Sequence, residues 1–120
     1  MHWWASEPDR ISDAAAKAID DADELVVADI SWWELAWLAK HERIVVTIPL
    51  ASWLGRLAAQ VRTMPVTTAI ATAAISLPRS FPGDPADRLI YATAIETGLR
   101  LITKDRKLRG HRGPQPVTLW

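Results

Sequence analysis

Cysteine is absent from this 120-residue chain, which excludes a disulfide framework and any zinc site built on thiolates. Three scattered histidines leave little for a soft metal, so a metal bound here is expected to be a hard ion held by oxygen. Glycine numbers only five, and there is no Gly/Ser-rich linker, low-complexity tract or internal repeat to mark a domain boundary. Net charge is also missing: 14 basic side chains balance 14 acidic ones, which argues against a general nucleic-acid coat protein. No apolar run approaches the ~20 residues needed to span a bilayer, and the first residues lack a charged segment followed by an apolar one. The chain therefore reads as a single cytoplasmic domain with no membrane association.

What is present suits a small folded domain, with 49% hydrophobic and 23% charged residues. The charges are unevenly distributed. Residues 1–34 carry nine acids against Arg10 and Lys17, whereas residues 99–120 carry Arg100, Lys104, Arg106, Lys107, Arg109 and Arg112 against Asp105 alone. A basic end of this kind is either a solvated tail or a surface that meets phosphates.

Elements alternate along the chain. "SDAAAKAID" predicts a short helix capped by Ser12, and "ELVVADI" a brief buried strand. "SWWELAWLAKHE" predicts a helix beginning at Ser31 with Trp33, Trp37, Leu38 and Ala36 facing the core. "RIVVTIP" is a link, with Pro49 at the first position of a helix "LASWLGRLAAQV". "MPVT" predicts a strand and "TTAIATAAISL" a helix stopped by Pro78. Asp84 is a good N-cap for a helix running from Pro85 to about Thr97, with Gly98 free to close it, and "LRLIT" reads as a strand. Strands separated by helices imply parallel pairing, hence an α/β sandwich with a mainly parallel sheet.

In such a sheet the carboxyl ends of the strands and the helix starts that follow them share one edge. Glu34, Asp87 and Asp105 are expected there, the first two in the first turn of their helices and the third just beyond "LRLIT". Clustered carboxylates repel unless a cation compensates them. Mg²⁺ or Mn²⁺ suits oxygen ligands, leaves positions open for phosphate and can lower the pKa of a bound water, which points to phosphodiester hydrolysis. Plain helix starts compete with this reading: Ser31 with Glu34 is spaced as a capping box, and Asp84 with Asp87 nearly so. Asp105 follows a strand and has no helix of comparable length to cap, although a turn role is open to it. Thr103 offers a hydroxyl for water or phosphate, or simply β-propensity. Arg88 and Lys104 offer phosphate charge, or surface pairs of small value. Of the seven tryptophans, Trp33, Trp37 and Trp53 fit core faces; Trp3, Trp4 and Trp32 fit a dimer or partner surface as well as base stacking.

The segments "SWWELAWLAKHERI", "MPVTTAIATAAISLP", "GDPADRLIYATAIETGLRLITKDRKLR" and "PVTLW" closely resemble the PIN-domain family, and within it the VapC-type toxins of bacterial toxin–antitoxin pairs. The spacing from "DPADRLIYATA" to "LITKD" is the most specific part. The resemblance implies an Mg²⁺-dependent endoribonuclease of structured RNA such as transfer or ribosomal RNA, a homodimer silenced by a small VapB-type antitoxin. It also implies that Glu34, Asp87 and Asp105 match the family's acids and Thr103 a hydroxyl residue before the last of them. One departure stands out. The family opens with an apolar strand ending in aspartate, whereas this sequence opens on "MHWWASEPDRIS", without the central strand of the sheet or its acid. A start codon assigned too late and a decayed relative are the two explanations; the first is favoured because "HWWASEPDRIS" continues the family pattern without a break. The resulting alternative to a ribonuclease is an impaired PIN-like module that binds an antitoxin without cutting RNA. A receiver-like domain phosphorylated on an aspartate fits less well, since Asp29 lacks the acidic pair and lysine such a site needs.

Overall fold

The computed structural model describes residues 11–81, 85–103, 106–110 and 117–120. They form two compact units, meeting in sequence at Met64 and Pro65. Both combine helices with parallel strands, as expected for an α/β chain.

In the first unit, α1 (Asp13–Asp21) starts where Ser12 Oγ accepts the Ala15 N–H at 3.1 Å, the N-cap legible in the sequence. β1 (Val26–Ala28) pairs in parallel with β2 (Arg62–Met64), Val27 lying opposite Thr63. The ladder continues past both ends of β1, Arg62 N–H donating to Leu25 O at 2.8 Å and Asp29 N–H to Met64 O at 3.0 Å. β2 thus ends where "MPVT" had predicted a strand to begin. Between the strands lie α2 (Ile30–Lys40) and α3 (Leu50–Ala58), the latter with Pro49 at its N-cap rather than its first position. Ala15, Ala28, Leu35 and Leu57 are the buried apolar residues.

Helix α2 corrects the sequence reading twice. Trp33 is 62% and Trp37 41% exposed, while Leu35 is only 2% exposed, so the core-facing side runs through Leu35 and not through those tryptophans. Apolar residues surround this helix, and periodicity alone could not select the buried face. Helical backbone also begins earlier than expected. Asp29 takes the N-cap with φ −59° and ψ −32° and makes no side-chain cap bond. Ser31 therefore lies inside the helix and does not cap it, and Glu34 is its fifth residue rather than part of the first turn.

In the second unit, α4 (Thr68–Ser76) is capped by Thr67, whose Oγ1 accepts the Ile70 N–H at 3.1 Å. It packs against α5 (Pro85–Thr97), which ends at Gly98 with φ +70°, a left-handed value that favours glycine. The expected N-cap, Asp84, lies outside the described residues. β3 (Leu101–Ile102) pairs in parallel with β4 (Thr118–Leu119), flanked by Leu101 N–H to Val117 O at 2.8 Å and Thr103 N–H to Leu119 O at 3.1 Å. Between them sits α6 (Arg106–Gly110), a five-residue helix unforeseen in the sequence. Phe81, Tyr91 and Leu108 form a buried cluster joined by Leu77, Leu101 and Val117, with the Phe81 and Tyr91 rings 5.0 Å apart and tilted by 60°. Among the described residues β1–β2 and β3–β4 are separate two-stranded sheets, with no strand joining them. No helix of the described residues is long and apolar enough to cross a membrane.

Candidate functional site

Asp87 is the third residue of α5 and the acid of its first turn, where unsatisfied backbone N–H groups and the helix dipole favour a carboxylate. Its side chain is half-buried. Thr103, also half-buried, follows the carboxyl end of β3, and its backbone is tied to β4 through Leu119 O. Asp87, Arg88 and Thr103 belong to the second unit, and Glu34, half-buried on α2, to the first. Lys104 and Asp105 lie outside the described residues. Arg106, where α6 begins, follows Asp105 directly in sequence, which gives the competing helix-start reading of that acid a helix, albeit of one turn.

Arg88 is occupied by the protein itself. Its Nη1 donates to Leu77 O at 3.1 Å and Ala74 O at 3.4 Å, and its Nη2 to Pro78 O at 3.1 Å. The guanidinium lies 5.6 Å from the centroid of the Phe81 ring, within cation–π range. These carbonyls close α4, whose last turn carries no basic residue of its own.

The other expected surfaces divide similarly. Trp32 is half-buried, and its Nε1 donates to Thr63 Oγ1 at 3.0 Å, fastening α2 to β2. Trp37 stacks on His41 with ring centroids 4.0 Å apart. Trp53 is half-buried; Trp3 and Trp4 lie outside the described residues. From the basic end, Arg100 donates to Thr118 O at 3.0 Å and Arg109 is exposed.

The donor chemistry matches a hard cation, because Glu34 and Asp87 offer carboxylate oxygens and no cysteine competes for a softer metal. Among the described residues, which exclude Asp105, no group of three His, Cys, Asp or Glu is placed to hold an ion.

Residues 1–113 match the PIN domain family. The chain belongs to that family. This PIN domain is 64% identical over 119 residues to Ribonuclease VapC22 of Mycobacterium tuberculosis, a match covering 99% of this chain and 92% of the relative. A toxin–antitoxin complex from Klebsiella pneumoniae contains a chain that superposes with a TM-score of 0.66 at 20% identity, covering 88% of this PIN domain and 82% of that chain, a likeness of fold.

Proposed function

We propose that this protein is a ribonuclease toxin of the VapC type, using a divalent cation held by Glu34, Asp87 and Asp105 to hydrolyse phosphodiester bonds in structured RNA. The observation that carries this reading is the near-full-length identity to a protein named as a ribonuclease, with all three acids present in the segments that resemble the family. When bound, Mg²⁺ or Mn²⁺ supplies positive charge that offsets the phosphate and makes water a better nucleophile.

The chain's own residues do the rest. Glu34, Asp87 and Asp105 bind the cation through carboxylate oxygens, and Asp87 is pre-oriented by its place in the first turn of α5. Thr103 donates its hydroxyl to the phosphate or accepts from the attacking water. Lys104 and the basic residues from Arg100 to Arg112 hold the RNA backbone. Water oxygen bonds to phosphorus, the phosphorus–oxygen ester bond breaks, and the departing sugar oxygen takes a proton. A VapB-type antitoxin is the proposed inhibitory partner and a homodimer the proposed assembly.

A second reading is a catalytically impaired PIN-like module that binds an antitoxin without cutting RNA. Purified protein incubated with total cellular RNA decides between the two. Mg²⁺-dependent fragments that vanish with chelator and with Asp87→Asn support the ribonuclease; intact RNA with retained antitoxin binding supports the second reading.

A further inference from the structure

We infer that Arg88 is a positioning residue for the Asp87 carboxylate, a role that rests on Asp87 being a cation ligand as proposed above. Arg88 adjoins Asp87 in the first turns of α5, where consecutive side chains diverge by about 100° around the axis. Anchoring Arg88 restrains rotation of the start of α5 about its axis, and with it the direction in which the Asp87 side chain leaves the helix. The anchor is well defined: three carbonyls at the end of α4 and the segment after it, and the face of buried Phe81. Phe81 is itself set by its N–H donating to Pro78 O at 2.9 Å, so the ring and one of the three carbonyls belong to the same turn.

Two properties of this clamp fit positioning. It reaches back 10 to 14 residues in sequence, tying the start of α5 to the end of α4 across the connection between them. It also uses the planar fork of a guanidinium, with two nitrogens directed at different carbonyls and its Cζ over a ring, which an ammonium cannot reproduce. Lysine at this position keeps the charge near the carbonyl end of α4 and loses the fixed geometry. Support of this kind behind metal ligands is commonly worth 10- to 100-fold in metal affinity.

The test is Mn²⁺ binding by the full chain, titrated calorimetrically well below the melting temperature, for wild type, Asp87→Asn, Arg88→Lys and Arg88→Met. Each variant is first checked for a cooperative melt; Arg88→Lys decides alone should Arg88→Met not fold. Positioning predicts that Arg88→Lys and Arg88→Met both bind Mn²⁺ about 10-fold more weakly. Lower melting temperatures with unchanged Mn²⁺ affinity would show a clamp that matters only for stability and overturn the inference. So would tighter binding in Arg88→Met with wild-type binding in Arg88→Lys, the signature of charge repulsion alone. If wild type binds no Mn²⁺, or Asp87→Asn binds it as tightly, the cation reading of Asp87 fails and takes this inference with it; wild-type binding lost in Asp87→Asn but kept in both Arg88 variants refutes the role of Arg88 alone.

Discussion

Tyr91 is the sole tyrosine, 2% exposed beneath Phe81, and burial pushes its phenol above the usual 10.0. Because the folded pKa is the higher one, its contribution to stability is complete below pH 10 and declines as pH rises from there through the folded value. A spectrophotometric titration near 295 nm should show ionisation delayed beyond that of free tyrosine and coincident with alkaline unfolding; an ordinary, reversible titration of the native protein would refute the buried phenol. At Ser31 the structure reverses what spacing suggested. Since Ser31 sits inside α2 and Asp29 holds the N-cap, Ser31→Ala should change stability by no more than ~0.5 kcal/mol. A loss of ~1 kcal/mol or more in denaturant unfolding would restore the capping box. Asp87→Asn should lower RNA cleavage by at least the ~100-fold reached when outer-shell partners of a metal are lost, with a melting temperature within a few degrees of wild type. A large stability loss at unchanged cleavage would make Asp87 a helix-start residue only.

Among the elements, those governed by local chemistry were legible in the sequence. Ser12 caps the helix it was placed before, Pro85 opens α5, and Gly98 closes it with positive φ, whereas Thr67, read as the first helical residue, is the N-cap of α4. Each depends on a few neighbouring residues. Thr67→Ala removes the acceptor for the Ile70 N–H and should cost ~1 kcal/mol in chemical unfolding. A variant as stable as wild type would show that α4 is held by packing alone. What was illegible depended on distant partners. The exposed Trp33 and buried Leu35 are separated by which side of α2 meets the rest of its unit, and a helix apolar all round does not declare that side. The short α6 escaped notice because "RKLRG" is too brief for periodicity; Leu108 is buried in the Phe81–Tyr91 cluster, a tertiary contact rather than a propensity. The Arg88 clamp was hidden for the same reason, its acceptors being backbone carbonyls that no sequence motif identifies.

At the scale of the whole molecule, alternation of helices with short parallel strands specified the fold class, and the segments around Glu34, Asp87 and Asp105 specified the family now matched over residues 1–113. Each described sheet has only two strands, a size marginal for stability without packed helices or further strands.

The most direct measurement of the central claim is the stoichiometry and affinity of Mn²⁺ followed by electron paramagnetic resonance in wild type, Glu34→Gln, Asp87→Asn, Asp105→Asn and the triple variant. Carboxylates sharing one cation predict a single site in wild type, weakened about 10-fold or more by each substitution and abolished in the triple variant, with losses that do not add independently. Binding unaffected by the substitutions, or three sites lost one at a time, would contradict it.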